Sequence, residues 1–207
     1  MSYNDFVFKD GQLIGRFDDM YRQSSVVPWE QDKRSFEWYA DLCLGVLNSH
    51  KPYGQLLDIG CGLGYFTHRL GACSEKQTGW DISESAVESA KALFPNIEFE
   101  ARDISQPLNI EMQYDIICAR ELLWYVLPNL DIVFSNFKKL LKPNGYLFTA
   151  LSFPSLDKSF YGKEKIPNPR ALWNLFEGWT PIVTCTFQKH EYSNDGPNAL
   201  ALFQCKN

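Results

Sequence analysis

A carboxylate and three glycines lie within one short stretch of the sequence, and together they could hold a small organic cofactor. Asp58 ends an apolar run, and glycines follow at Gly60, Gly62 and Gly64. An apolar run that ends in glycine is typical of a strand buried in a parallel sheet. Glycine allows a tight turn and places no Cβ between the backbone and a ligand. If a helix starts at Tyr65, its free N–H groups point at whatever occupies the turn.

Two classes of cofactor use glycine-rich turns of this kind. A dinucleotide loop has the pattern G-x-G-x-x-G, in which the third glycine allows close packing of helix and strand. Tyr65 lies where that glycine belongs in the frame that starts at Gly60, and the frame that starts at Gly62 reaches Thr67. The pattern that begins at Asp58 is instead D-x-G-x-G-x-G. This pattern resembles the first motif of the class I S-adenosylmethionine-dependent methyltransferases.

In that family the loop backbone faces the methionyl part of the cofactor. The resemblance therefore implies that the loop residues contact S-adenosylmethionine, namely Asp58, Gly60, Cys61, Gly62, Gly64 and Tyr65. The Asp58 carboxylate could contact the amino group of the cofactor, or it could accept hydrogen bonds from N–H groups of the loop. The sequence leaves both roles open.

A second carboxylate lies at the end of the next predicted strand, and a third follows the strand after it. Asp81 comes 21 residues after Gly60, since 81 minus 60 is 21. Dehydrogenases place an acidic residue at a similar distance for a ribose contact, so the spacing alone does not decide between the families. The methyltransferase resemblance implies that Asp81 binds the ribose and that Asp103 binds the adenine amine, with Ile82 and Ile104 beside the ring. Asp81 could alternatively serve only as a partner for the start of the next helix.

Glu121 and Tyr125 follow the predicted fourth strand, at the end of the sheet where open α/β folds bind ligands. We expect them on the acceptor side and treat them as the candidate catalytic residues. Their role would be that of a base, which is needed only if the acceptor must lose a proton. His68 and His190 are the other candidates, although a surface or packing role is favoured for both. The stretch 114–125 resembles the family's fourth motif, and the resemblance implies that Arg120 contacts the cofactor.

Two short stretches before the first predicted strand, 17–22 and 28–30, carry a second resemblance. They resemble the entry of several small-molecule methyltransferases, including the nodulation-type oligosaccharide N-methyltransferases. The resemblance implies that Tyr21, Arg22 and Trp29 close over the cofactor, with Arg22 near its carboxylate. Packing of these residues against the sheet is an equal alternative.

The elements that must position these residues alternate between strand and helix after residue 54. A helix begins after the N-cap residue Ser83 and stops at Pro95. The predicted strands are 55–59, 77–82, 97–101, 114–119, 146–151, 182–190 and 200–205. With the resemblance, this pattern predicts an α/β fold with a doubly wound, mostly parallel seven-stranded sheet, the Rossmann-like methyltransferase fold, closed by an antiparallel hairpin.

The length of 207 residues is consistent with a single methyltransferase domain. Residues 1–54 are predicted to form N-terminal cap helices, with helices over 13–23 and 30–48. Residues 55–151 form the predicted cofactor-binding core, and 152–207 the acceptor loop and C-terminal strands. The loop at 152–170 is a predicted lid, because long irregular loops in compact domains often bind ligands.

Composition argues against several other functions. A net charge of −5 and a pI near 5.2 give no long-range attraction to nucleic acid. No stretch approaches the ~20 apolar residues of a membrane helix, and the start lacks the segments of a signal peptide, so a cytoplasmic location is predicted. The six cysteines have no metal-ligand spacing and are expected to be reduced thiols, with no bound metal.

The sequence therefore predicts methyl transfer from S-adenosylmethionine to a small-molecule or saccharide acceptor, at nitrogen or oxygen, by a monomer or weak homodimer. Two alternatives stay open. One is a nicotinamide-dependent oxidoreductase, which the tyrosine at the third glycine position disfavours. The other is a non-catalytic protein that binds S-adenosylmethionine. The identity of the acceptor is not encoded in any motif found here.

Overall fold

The computed structural model describes residues 4–33, 37–50, 53–109, 111–188 and 196–206. Within them the strands are β1 (Phe8–Lys9), β2 (Gln12–Leu13), β3 (Tyr53–Ile59), β4 (Ser74–Asp81), β5 (Glu98–Ala101), β6 (Tyr114–Arg120), β7 (Leu141–Ser152), β8 (Thr180–Phe187) and β9 (Asn198–Gln204). The helices are α1 (Asn4–Val7), α2 (Phe17–Gln23), α3 (Glu37–Asn48), α4 (Tyr65–Leu70), α5 (Glu84–Leu93), α6 (Leu123–Val126), α7 (Leu130–Leu140) and α8 (Pro169–Asn174), with 3-10 turns at Pro28–Glu30 and Leu127–Asn129. None of these helices is long and apolar enough to cross a lipid bilayer.

Seven strands form the main sheet, in the order β5-β4-β3-β6-β7-β9-β8. The first five in this order pair in parallel, and β9 is antiparallel to both β7 and β8. The predicted fold, a mostly parallel sheet with a closing antiparallel hairpin, is confirmed. The chain order of the strands reverses between β3 and β6, which leaves a crevice at their carboxyl ends where open α/β sheets bind ligands.

The central strands β3 and β6 are largely apolar and mostly buried because helices cover both faces of the sheet. In β3, Leu57 and Ile59 pack in one core with Phe137 of α7. Leu56 points to the other face and packs in a second core with Leu47 of α3. With both faces buried, the register of β3 is fixed and the loop that follows it is held at the crevice.

The N-terminal helices start later than the sequence predicts. The predicted helix 13–23 begins only at Phe17, because Gly15 has a φ of 62°, in the left-handed region. The predicted helix 30–48 is likewise too long, since Trp29 and Glu30 have φ angles of 51° and 49°. The helical part described there is α3. His190 and most of the predicted hairpin turn lie outside the described residues.

Candidate active site

A cavity of about 600 Å³ lies at the carboxyl ends of the parallel strands. Side chains from the ends of β3, β4 and β6, from the loop after β5 and from the N-terminal segment meet in its walls. The predicted site residues that line it are Tyr21, Trp29, Asp58, Gly60, Cys61, Tyr65, Asp81, Ile82, Asp103, Ile104, Arg120, Glu121 and Tyr125. The structure thus brings together residues that are up to about a hundred positions apart in the chain.

The glycine loop between β3 and α4 has a backbone that favours glycine at three positions. The φ angles are 77° at Gly60, 54° at Gly62 and 80° at Gly64. Gly60 lines the cavity, and its N–H donates to the carbonyl of Trp80 at 2.7 Å, which fixes the loop against β4. A Cβ on Gly64 would lie 2.6 Å from the ring of Phe99. Gly64 therefore permits packing of α4 and β5, whereas Gly60 lies at the cavity wall.

Asp81 joins the glycine loop to the start of α5. Its buried carboxylate accepts hydrogen bonds from the N–H of Gly62 and from the N–H of Ser83, each at 2.9 Å. Burial raises the pKa of Asp81, and these backbone donors oppose that rise. The predicted N-cap is confirmed, because the Ser83 hydroxyl accepts from the N–H of Ala86. Asp81 thus supports the loop and also borders the cavity.

Asp58 and Arg120 place opposite charges at one end of the cavity. The buried Asp58 accepts a hydrogen bond from the Thr67 hydroxyl at 2.6 Å. Burial raises the pKa of Asp58 to about 6, while the Thr67 hydrogen bond and the Arg120 charge oppose the rise. The Arg120 guanidinium lies 4.3 Å from the ring centroid of Phe66 and 5.7 Å from that of Tyr39. This end of the cavity suits a ligand that carries both charges.

The loop after β5 forms another part of the cavity lining. Asp103 lies there with one carboxylate oxygen bound to the N–H of Ser105 at 2.8 Å. Ile104 is buried, and Ile82 is 50% exposed at the cavity edge. The buried Asn136 of α7 donates to the carbonyl of Ile104 at 2.8 Å and so fixes this loop. The loop offers one acceptor side chain between two apolar ones, a suitable set for an adenine ring.

Four aromatic side chains form one wall of the cavity, which we call the aromatic wall: Phe17, Tyr21, Trp29 and Tyr125. The ring centroids of Phe17 and Tyr125 are 5.3 Å apart, those of Trp29 and Tyr125 are 5.7 Å apart, and those of Tyr21 and Trp29 are 6.1 Å apart. Burial raises the pKa of Tyr21 well above its ordinary value, so this phenol stays protonated. Sequence reasoning missed Phe17 as a cavity residue.

Arg22 lies outside the cavity, away from the position that the sequence predicts for it. Its side chain is 62% exposed and forms an ion pair with Asp18, four residues earlier on α2. Asp18 also accepts from the Ser83 hydroxyl at 3.0 Å and from the N–H of Ser85 at 2.9 Å. Arg22 therefore supports the attachment of α2 to α5 through Asp18. Arg120, by contrast, lines the cavity.

Glu121 borders the cavity directly after β6 and has a strained backbone. Its φ of 54° is in the left-handed region, which costs about 1–3 kcal/mol for a residue other than glycine. One carboxylate oxygen accepts from the Tyr39 hydroxyl at 2.7 Å and from the Ser152 hydroxyl at 2.8 Å. The other accepts from the Ser152 N–H at 3.0 Å. Three donors from two other elements thus hold this carboxylate in place.

The predicted acceptor loop contributes little to this cavity. Of residues 152–170, only Ser152 is among the lining residues. Tyr161 packs instead against Phe8, with ring centroids 5.5 Å apart, and Lys163 donates to the carbonyl of Leu156 at 2.6 Å. The loop is therefore closed against its own backbone and the N-terminal hairpin, and residues 17–33 form the roof of the cavity.

Of the two histidines predicted as alternative bases, one lies at the margin of the cavity and the other outside the described residues. His68 is exposed at the edge of the cavity, where its ring stacks on Phe94 with centroids 4.8 Å apart. This contact agrees with the packing role favoured for it. His190 lies outside the part of the chain that the structure describes.

Comparisons with known proteins agree with this architecture. Residues 50–177 match the family described as methyltransferase domain. A ubiquinone biosynthesis O-methyltransferase of Coxiella burnetii is 33% identical over 109 residues, which cover 51% of this chain and 44% of that protein. Nodulation protein S of Azorhizobium caulinodans is 28% identical over 127 residues, which cover 57% of this chain and 59% of that protein. The chain thus spans about half the length of these curated relatives.

A solved structure shares the fold over most of both chains. The N-methyltransferase NodS from Bradyrhizobium japonicum WM9, in complex with S-adenosyl-L-homocysteine, superposes with a TM-score of 0.73 at 22% identity. The superposition covers 89% of this chain and 94% of the other. Because the family match covers more than half of the sequence and the sheet has the fold of a solved methyltransferase, the chain belongs to the methyltransferase domain family, the class I S-adenosylmethionine-dependent methyltransferases.

Proposed function

We propose that the protein transfers the methyl group of S-adenosylmethionine to a nucleophilic nitrogen or oxygen of a small molecule or saccharide. One observation carries the proposal: a single cavity is lined by the aromatic wall and by the three carboxylates Asp58, Asp81 and Asp103, which we call its floor. S-adenosylmethionine supplies a methyl group that its sulfonium charge already activates. The residues of the chain must therefore mainly align the acceptor and exclude water.

The polar residues at the floor have separate roles in this proposal. Asp81 accepts hydrogen bonds from the ribose hydroxyls, and Asp103 accepts one from the adenine amine beside Ile104. Asp58 faces the amino group of the cofactor. Arg120 binds the carboxylate of the cofactor, the role that the family resemblance implied for Arg22. The support is that Asp58, Arg120, Asp81 and Asp103 all line the same cavity and that the Arg120 charge acts on Asp58.

The aromatic wall and Glu121 form the acceptor side of the proposed site. Aromatic faces attract a positive charge, so rings such as Trp29 and Tyr125 suit a cavity that binds a sulfonium. The family assignment favours this reaction over the nicotinamide alternative. Because three donors already converge on Glu121, we propose that it positions Tyr39 and Ser152 and that it does not take a proton.

Replacing Glu121 with glutamine is therefore expected to lower turnover by less than about tenfold and to leave the pH profile unchanged. Glutamine keeps one oxygen for the two hydroxyl donors but directs an N–H at the N–H of Ser152, which should lower the unfolding free energy by about 1–2 kcal/mol. Steady-state kinetics against pH and urea unfolding measure both effects. Glu111→Gln, the same exchange at an exposed position, is the control. A large loss of turnover with unchanged cofactor affinity would instead make Glu121 a base.

The activity itself is tested by release of S-adenosylhomocysteine with a panel of acceptors. The panel contains phenols, other alcohols, amines and amino sugars, because the similar proteins include an O-methyltransferase and an N-methyltransferase. We expect release with members of one class. Silence across the whole panel, with intact cofactor binding, would favour the non-catalytic alternative. The single domain divided at residues 54 and 151, the cytoplasmic location and the monomer or weak homodimer also stay proposals.

A further inference from the structure

The Gln31 side chain joins the roof of the cavity to the glycine loop. Its amide nitrogen donates to the Tyr21 hydroxyl on α2 at 2.9 Å. Its amide oxygen accepts from the N–H of Leu63, in the glycine loop, at 3.0 Å. Gln31 also lines the cavity. One side chain therefore bridges two elements that the sequence separates by more than thirty residues.

The lack of a side chain at Gly62 leaves room for the Gln31 amide. A Cβ at Gly62 would lie 2.5 Å from the amide oxygen of Gln31 and 2.7 Å from the Tyr21 hydroxyl. Atoms do not approach a Cβ so closely, so only glycine allows the amide to reach the loop. The side chains of Gln31 and Tyr21 therefore cover Gly62.

The backbone just before Gln31 is held in a costly conformation. Trp29 and Glu30 are consecutive residues with φ angles of 51° and 49°, where side chains other than glycine are strained. Such strain persists only when the surrounding contacts hold it. The contacts here are the packing of Trp29 in the aromatic wall and the two hydrogen bonds of Gln31. Loss of those bonds would let the strained turn relax away from the loop.

We infer that Gln31 is the positioning residue that fixes residues 17–33 over the cofactor loop, so that the cofactor enters and leaves only after its two hydrogen bonds break. The other end of this segment stays attached through Asp18, which binds Ser83 and Ser85 of the α5 start. The inference rests on the proposed function and deepens it, because it assigns control of cofactor exchange to one side chain outside the family's motifs.

Amide hydrogen exchange tests the bridge without any cofactor. In Gln31→Leu, which keeps the approximate size of the side chain, the Leu63 amide should exchange about tenfold faster, since it loses one hydrogen bond. The Gly62 amide, which donates to Asp81, should be unchanged and serves as the internal reference. Gln31→Glu should retain protection, because a carboxylate can accept from both Leu63 and Tyr21. Unchanged exchange at Leu63 in Gln31→Leu would overturn the inference.

Rapid-mixing kinetics with S-adenosylhomocysteine test the consequence for exchange of the cofactor. Tryptophan fluorescence should show that both the association and the dissociation rates rise about tenfold in Gln31→Leu, with little change in Kd. Gln23→Leu, the same exchange at an exposed position of α2, should match the native protein. A rise in the dissociation rate alone would make Gln31 a direct contact and overturn the inference. If the native protein fails to bind, the proposed function is wrong, and the Leu63 exchange still decides whether the bridge forms.

Discussion

Replacing Asp81 with asparagine is expected to weaken the binding of S-adenosylhomocysteine about 100-fold, since hydrogen bonds to a charged group contribute about 1.5–3 kcal/mol each. Asp81 uses one oxygen for the N–H of Gly62 and the other for the N–H of Ser83. Asparagine has one acceptor oxygen, so its amide N–H must oppose one of these donors. The glycine loop then loses a support, and the proposed ribose contact loses its carboxylate. Calorimetric titration measures the change in Kd.

A matched control separates this effect from general destabilisation. The Asp115 carboxylate also accepts from a backbone N–H, that of Gln55 at 2.7 Å, and it binds Lys142. It is not among the residues that line the cavity. Asp115→Asn should therefore lower the melting temperature and leave the affinity unchanged. Asp81→Asn with an affinity within threefold of the native protein would contradict the assigned role of Asp81.

Replacing Asp58 with asparagine is expected to stabilise the fold above pH 7 while it weakens cofactor binding about tenfold through loss of a charge-assisted contact. Burial raises the pKa of Asp58 from 3.8 to about 6. A carboxyl whose folded pKa is raised contributes its stability below the unfolded pKa and loses it as the pH rises through the folded pKa. The native protein should therefore lose about 2 kcal/mol from this group between pH 4 and pH 7.

Urea unfolding at several pH values measures this difference. Asparagine can still accept from the Thr67 hydroxyl, so Asp58→Asn removes the charge and keeps the hydrogen bond. The unfolding free energies of the two proteins should be closest near pH 4 and diverge as the pH rises. Equal free energies at pH 8, or a gap that is widest at low pH, would contradict a buried and ionised Asp58. Asp58 would then no longer be a residue that lowers the stability of the fold and is kept because it binds the cofactor.

The floor of the site could be predicted from the sequence because parallel strands deliver their carboxyl ends to one edge of the sheet. Asp58 and Asp81 lie at the carboxyl ends of predicted strands and Asp103 follows one, so their meeting in one cavity follows from the topology. The N-cap at Ser83 follows from a similar local signal. In these places local pattern and global fold agree.

The sequence predicted that Tyr21, Trp29, Glu121 and Tyr125 border the site. The contacts that hold the roof and the acceptor side could not be predicted, because they join distant residues and use unusual backbone angles. Gln31 and Leu63 are 32 residues apart, and Tyr39 and Glu121 are 82 apart. No periodicity encodes the left-handed backbone of Trp29 or Glu121. Sequence reasoning also missed Asn136, although a polar residue among the apolar positions of a buried helix face was an available signal.

The most direct test of the central claim is calorimetric titration of the native protein with S-adenosylhomocysteine and, separately, with NAD. We expect saturable binding of S-adenosylhomocysteine to one site per chain and no heat of binding with NAD. Tyr65 in place of the third glycine of a dinucleotide loop, together with the methyltransferase family match, accounts for this preference. Binding of NAD without binding of S-adenosylhomocysteine would contradict the account.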